Sequence, residues 1–271
     1  MSTSEVYLLG QRAEEEARLR AQMADLAPHS AAMLDRVGIR PGERVVDIGC
    51  GPGGVLDLLA ARVGPSGSVL GLERSPHYLD LARRFVAEQG LAQVELREGD
   101  AYATGLPRQS FDGAHMRLVL VNVPRPEEIV REMVALVRPG GWIASFEADY
   151  ASHACDPPLP AWDRLLAAFA ANARAQGIDL HIGRRTRRLF RDAGVVDLEV
   201  DPVVRARLPG HPARRVLHTF VGNVADQLVA GGHIDRATLD ADMAELARHV
   251  DDPGTLVIAH TFYRVWGRVP G

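Results

Sequence analysis

The chain predicts an α/β fold, a mostly parallel sheet with helices on both faces, and three observations carry that prediction. Short apolar segments of strand length alternate with longer amphipathic ones from residue 44 to residue 147. The first strand runs straight into a glycine turn, Gly49-Cys50-Gly51-Pro52-Gly53-Gly54, followed by an apolar helix. After residue 147 the alternation breaks, and the last strand is entered from a long helical connection, which favours an antiparallel approach.

The elements follow in order. Residues 11–27 set Leu19, Met23 and Leu26 at helical spacing, with Glu14, Glu15 and Glu16 in the first turn. A second helix is expected from Pro28, a residue suited to the first helical position, to Val37 before Gly38. The turn Arg40-Pro41-Gly42 leads into a strand at 44–48, and a strand at 69–73 follows the turn at 64–67. Next come a helix at 76–88, strands at 94–97 and 111–116, and a helix at 126–137 that stops at Arg138-Pro139-Gly140-Gly141. The strand at 142–147 opens onto an insertion, 150–180, with a helix near 161–176. A helix at 184–193, a strand near 195–206, helices at 212–230 and 235–250 and a last strand at 255–267 complete the chain. The organisation expected is an N-terminal helical lid over 1–39 and one α/β domain over 40–271. Its insertions, 150–180 and 209–254, overhang the ligand end of the sheet as a substrate cap.

Composition narrows the chemistry. With 46% hydrophobic and 24% charged residues, the 271-residue chain is of ordinary globular composition. A net charge of −4 gives no general attraction to nucleic acid or anionic membrane. All 31 basic residues are arginine, which excludes a lysine Schiff base, a lysine general base and a Walker-type phosphate lysine. Two cysteines, Cys50 and Cys155, cannot build a disulfide framework or a four-thiolate zinc site. There is no basic-then-apolar leader and no apolar run near membrane-span length, so a cytoplasmic protein is expected.

The glycine turn implies a nucleotide site, because glycines let the backbone approach a ligand and the following helix aims free N–H groups there. Gly49, Gly51 and Gly53 form a GxGxG pattern, and Gly54 also satisfies the GxGxxG of dinucleotide sites. Three acids sit at strand ends: Asp47 before the turn, Glu73 after the second strand and Asp100 after the third. A pyrophosphate favours neutral or cationic surroundings. Three carboxylates suit a phosphate-free ligand that carries positive charge.

The segments VVDIGCGPGG at 45–54, GLERS at 71–75, EGDA at 98–101, FDGAHMRLVLVNV at 111–123 and LVRPGGWI at 136–143 carry a resemblance. Over residues 40–147 the chain resembles the class I S-adenosylmethionine-dependent methyltransferases, in the small-molecule branch related to ubiquinone and menaquinone methyltransferases. The resemblance implies a seven-stranded Rossmann-like sheet with an antiparallel last strand. It implies that Asp47, Gly49, Gly51 and Gly53 face the methionine portion of S-adenosyl-L-methionine, with Glu73 and Arg74 at the ribose. Asp100 and the Ala101 backbone would face the adenine. Arg117, after the fourth strand, would touch the cofactor or the pocket, a solvated strand-end arginine being the other reading. Tyr7, before the first helix, would cover the sulfonium with its ring.

The activity implied is methyl transfer to a small, largely apolar organic acceptor, plausible in specialised metabolism. Two alternatives stay open here: a cofactor-holding protein of the same fold without methyl transfer (cyclase-like or a binding module), and an NAD(P)-dependent oxidoreductase permitted by Gly54. Methyl transfer needs the nucleophile and methyl carbon held in line about 3 Å apart, and a base only if the nucleophile arrives protonated. Glu147, Asp149, Tyr150 and His153 cluster after the fifth strand, and His153 has the most suitable ordinary pKa. A loop histidine without a role is the alternative. His115, inside an apolar strand, reads as a hydrogen-bonded core residue, and no histidine spacing suggests a metal. Arg184, Arg185, Arg187 and Arg188, and the pair Arg214-Arg215, read as solvated helix faces; without interleaved aromatics they give no nucleic-acid partner. Trp162, Phe169, Leu217, Phe220, Leu228 and Leu239 offer apolar lining in the insertions, whose surface also suggests a homodimer.

Overall fold

The structure, a computed structural model, describes residues 13–271. Its elements are α1 (Ala13–Val37), β1 (Arg44–Ile48), α2 (Leu56–Val63), β2 (Ser68–Glu73), α3 (Pro76–Glu88), β3 (Val94–Glu98), β4 (Phe111–Arg117), α4 (Pro126–Leu136) and β5 (Val137–Asp149). The remainder comprises β6 (Ala154–Asp156), α5 (Pro160–Ala175), α6 (Ile182–Asp192), β7 (Val196–Val203), β8 (Ala206–Arg207), α7 (Val216–Asn223), α8 (Ala225–Ala230), α9 (Arg236–Asp251), β9 (Leu256–Ile258) and β10 (Thr261–Arg268). The main sheet has seven strands in the order β3-β2-β1-β4-β5-β10-β7. Strands β1 to β5 pair in parallel, and β10 runs antiparallel to both β5 and β7, as the sequence predicts.

Parallel central strands are covered on both faces, so they must be apolar on both. Val45, Val46 and Ile48 of β1 meet this, all fully buried. The strand order reverses beside β1, where β2 lies on one side and β4 on the other. Ligands of open α/β sheets bind at the carboxyl ends beside such a reversal. α3 begins there with Ser75, whose side chain accepts the Tyr78 N–H, and Pro76 in the first turn.

The structure corrects four boundaries, one of them at β5, which starts at Val137 and runs through Arg138-Pro139-Gly140-Gly141 where a helix stop is expected. Pro28 lies inside α1, which runs unbroken from Ala13 to Val37. The proline forfeits one helical hydrogen bond, but continuity lets Leu26, Met33, Leu34 and Val37 bury along one core face. The expected last strand splits: β9 joins β6 and β8 in a separate three-stranded sheet, and β10 enters the main sheet only after His260. The expected helix at 212–230 is a 3-10 turn, Pro212–Arg215, followed by α7 and α8.

The helical insertions pack on one another, and Trp162, Phe169, Leu217, Phe220, Leu228 and Leu239 are all buried there. Large exposed apolar side chains lie elsewhere, at Val196 and Val200 of the edge strand β7 and at Val204, Leu208 and Leu256. Among the described residues no helix is long and apolar enough to cross a membrane.

Candidate functional site

The carboxyl ends of β1 and β2 are tied through one side chain. The Gly51 N–H donates to Glu73 Oε2 (3.0 Å) and the Ser75 N–H to Glu73 Oε1 (2.8 Å). The N–H groups of Gly49 and Cys50 both donate to the Leu72 carbonyl. Glu73 therefore fixes the glycine turn against the start of α3. Burial pushes its carboxyl above the ordinary value, opposed by the amides of Ser75, Gly51 and Arg74 and by the Arg74 charge. Gly49 and Gly51 both have positive φ, which glycine adopts without the clash a side chain would bring. A Cβ at Gly49 would lie 2.7 Å from Val119 Cγ2, and one at Gly53 only 2.5 Å from the Phe85 ring.

Asp100 lies at the next strand tip, exposed, where its Oδ1 accepts the Tyr102 N–H in a tight turn. Ala101 lies within that turn, and Arg74 is exposed beside Glu73. Asp47 differs from its expected position. It is buried, and its Oδ1 lies 2.7 Å from His115 Nδ1 across the β1–β4 pairing. Of the three strand-end carboxylates, Asp47 is thus drawn into the sheet, while Glu73 and Asp100 stay at the strand tips. A fully buried acid needs a partner, and the facing strand supplies it.

Arg117 turns back from the end of β4. It donates to the Gly54 carbonyl (3.0 Å) and to Ser30 Oγ of α1 (3.1 Å), so it clamps the glycine turn to the first helix. Burial lowers its pKa to about 10, with Asp47 and Asp57 acting in the opposite direction, so it stays charged at neutral pH. Tyr7 falls outside the described residues. A cavity of about 340 Å³ borders the same turn, lined by Met23, Ala24 and Ala27 of α1 and by Leu81 and Phe85 of α3.

His153 belongs to a different cluster. β5 lies three strands from β2, roughly 14 Å at ordinary strand spacing. Beyond its end the His153 ring lies 5.2 Å from that of His260 and 6.0 Å from that of Trp162. Tyr150 packs edge-on against both His260 and Phe220. Burial, helped by His260, holds the His153 pKa well below its ordinary value. Its Nδ1 and the Trp162 Nε1 have no hydrogen-bond partner among the described residues.

Sequence reasoning missed the way Glu147 and Arg214 are used. Glu147 accepts the N–H groups of Val119, Leu120 and Val121. Arg214, read as solvated, is buried and donates to the carbonyls of Arg207, Val250, Asp252 and Thr255 and to Thr255 Oγ1. Arg184 and Arg185 are also committed, to Asp149 and Asp179. No spacing within the sequence marks these partners, because each lies on another element.

A family described as a methyltransferase domain matches residues 45–141. Over 190 residues the chain is 34% identical to an uncharacterized protein in a transposon of Streptomyces fradiae, covering 70% of this chain and 54% of that protein. It is 30% identical over 179 residues to a demethylmenaquinone methyltransferase of Geobacillus, covering 62% of this chain and 76% of the relative. The chain spans about half the length of the first curated relatives it matches. A solved phosphoethanolamine N-methyltransferase from Haemonchus contortus, in complex with S-adenosylhomocysteine, shares the fold. It gives a TM-score of 0.58 at 17% identity, covering 90% of this chain and 53% of that one.

Proposed function

This chain belongs to the class I S-adenosylmethionine-dependent methyltransferases, and from that premise we propose that it transfers a methyl group from S-adenosyl-L-methionine to a small, largely apolar acceptor in specialised metabolism. Family membership displaces the nicotinamide reading that Gly54 left open. The observation that carries the proposal is Glu73, a carboxylate at the tip of β2 that organises the glycine turn and lies beside the cleft.

The residues present fit this cofactor. The turn is built of glycines, two carboxylates stand at the neighbouring strand tips, and the half-buried cation beside the turn, Arg117, is engaged with Ser30 and Gly54. Glu73 and Arg74 would hold the ribose, Asp100 and the Ala101 backbone the adenine, and Gly49, Gly51 and Gly53 the amino-acid portion. Asp47, bound to His115, would act from beneath the turn, and Arg117 would fix the turn's position. When bound, the cofactor supplies an electrophilic methyl carbon on a positively charged sulfur. The chain's own task is to orient the acceptor in line and keep water out.

In this reading residues 1–39 act as a lid, with Tyr7 over the sulfonium, and 150–180 with 209–254 form the acceptor cap. The aromatic cluster of Tyr150, Trp162 and Phe220 supports an apolar acceptor, and the name of the Geobacillus relative supports a small molecule. Burial keeps the His153 imidazole neutral at pH 7 and also weakens it as a base, and it would take the proton only from an acidic hydroxyl acceptor such as a phenol. A cytoplasmic location belongs to the same proposal. So does a homodimer, supported by the exposed valines of β7 rather than by the insertions.

Isothermal titration with S-adenosylhomocysteine and with NAD tests the cofactor. Binding of the former alone is expected, and binding of NAD alone would end the proposal. Mass spectrometry of aromatic and aliphatic hydroxyl and amine acceptors, incubated with enzyme and S-adenosylmethionine, should then reveal the gain of one methyl group. Cofactor binding without transfer to any acceptor tested would favour the cyclase-like or binding-module alternative.

A further inference from the structure

We propose that Glu147 is a positioning residue, whose carboxylate gathers the turn after β4 and thereby sets how closely that turn presses on the glycine loop. The inference rests on the reading of that loop as the cofactor's seat.

The chain leaves β4 abruptly. Leu118 has a φ of +56°, a conformation that a leucine adopts only when its surroundings demand it. The next three residues would be left with free N–H groups in a buried place. Glu147, itself fully buried on the neighbouring β5, receives all three: Val119 and Leu120 at Oε1 (3.0 and 3.2 Å) and Val121 at Oε2 (3.3 Å). Ser145 Oγ adds a fourth donor at 3.3 Å. A carboxyl group suits this arrangement, since its two oxygens offer several acceptor positions to neighbouring N–H groups.

The turn so held bears directly on the glycine loop. Val119 Cγ2 occupies the space that a side chain at Gly49 would need, only 2.7 Å from the ideal Cβ position. One residue before Leu118, Arg117 grips the Gly54 carbonyl. The loop is therefore braced from β4 at both ends, by a guanidinium at Gly54 and by a valine at Gly49. The valine's position depends on Glu147, which does not itself border the cleft and acts through the turn.

The test compares Glu147→Gln, Glu147→Ala and Val119→Ala with the wild type, using S-adenosylhomocysteine titration, steady-state kinetics and amide hydrogen exchange. Gln can still accept the Val119 and Leu120 N–H groups and opposes only the longest contact, so its affinity should fall less than about tenfold. Ala strands three buried amides, and its affinity should fall by about tenfold to a hundredfold, with faster exchange at residues 119–121. Val119→Ala leaves the carboxylate in place and should weaken binding too, which serves if Glu147→Ala fails to fold. The KM for the cofactor should rise in each variant, while kcat at saturating cofactor changes little. Folded variants that bind as tightly as wild type would overturn the positioning role while leaving the function standing. A fall in apparent kcat in step with lost folded protein, with the KM for the cofactor unchanged, would reduce Glu147 to a structural residue. A wild type that binds no S-adenosylhomocysteine would instead end the functional reading and this proposal with it.

Discussion

Glu73 commits both carboxylate oxygens to backbone amides of two separate turns, so its removal disturbs more than one ligand contact. Glu73→Ala should weaken S-adenosylhomocysteine binding by about 1–3 kcal/mol, and Asp100→Ala by a similar or smaller amount, measured by titration calorimetry. Unchanged affinity in both variants would mean that the cofactor lies elsewhere. His153 makes a second prediction at this scale. Because burial keeps its imidazole uncharged near neutrality, His153→Ala should slow turnover of a phenol acceptor by about 10²–10⁴-fold and leave an amine acceptor nearly untouched. Equal losses with both acceptors would remove His153 from the role of base. The residue scale is also where sequence reading succeeded unevenly. Glu73 was legible because a strand end and a glycine turn adjoin it in the pattern. The pairing of Asp47 with His115 depends on β4 lying beside β1, 68 residues away, a neighbour that local spacing does not reveal.

Among the elements, α1 shows most clearly how the molecule is tied together. Arginines reach it from several directions: Arg62 of α2 at Asp35 and the Ala31 carbonyl, Arg117 of β4 at Ser30, Arg264 of β10 at the His29 carbonyl, and Arg205 and Arg207 at Asp25. Burial alone would raise the Asp25 pKa, but the hydrogen bonds and charges of Arg207 and Arg205 hold it below the ordinary range. Asp25→Ala would leave the buried Arg207 without its acid. The expected loss is about 2–4 kcal/mol of unfolding free energy, with faster proteolytic cutting in α1. A loss under about half a kcal/mol would show the pair to be as weak as an exposed one. These ties explain why α1 continues through Pro28, which read locally as a helix start. The parallel strands were legible from apolar runs bounded by glycine and proline turns. The small sheet was not, because β6, β8 and β9 have only two or three residues each and exist through pairing, not through pattern.

For the whole molecule, two buried titrating groups tilt stability in opposite directions. Burial raises Glu147 to about 7, against the opposing amides of Leu120, Val119 and Val121. Between its unfolded value of 4.5 and that point the folded state binds the extra proton, so this contribution is present in acid and fades as pH rises to 7. Its full size is roughly 3 kcal/mol. His153 is depressed, so its contribution holds above its ordinary value of 6.5 and is lost as pH falls. Between pH 5 and 6.5 the two contributions therefore oppose one another, and above 6.5 only the loss from Glu147 continues. Denaturant unfolding across that interval should show Glu147→Gln losing stability more steeply in acid, and His153→Phe losing it more steeply toward neutral pH. Parallel curves for all three proteins would mean that neither group titrates as its burial demands.

The Phe85 ring, lodged where Gly53 lacks a side chain, makes the loop and α3 a single mechanical unit. Even one methyl added at position 53 would have to push aside the Phe85 ring, carried by a helix whose capping serine shares a carboxylate with the loop itself. Anyone reshaping this cleft for a different adenosyl ligand must therefore treat the Phe85 side chain and the loop together.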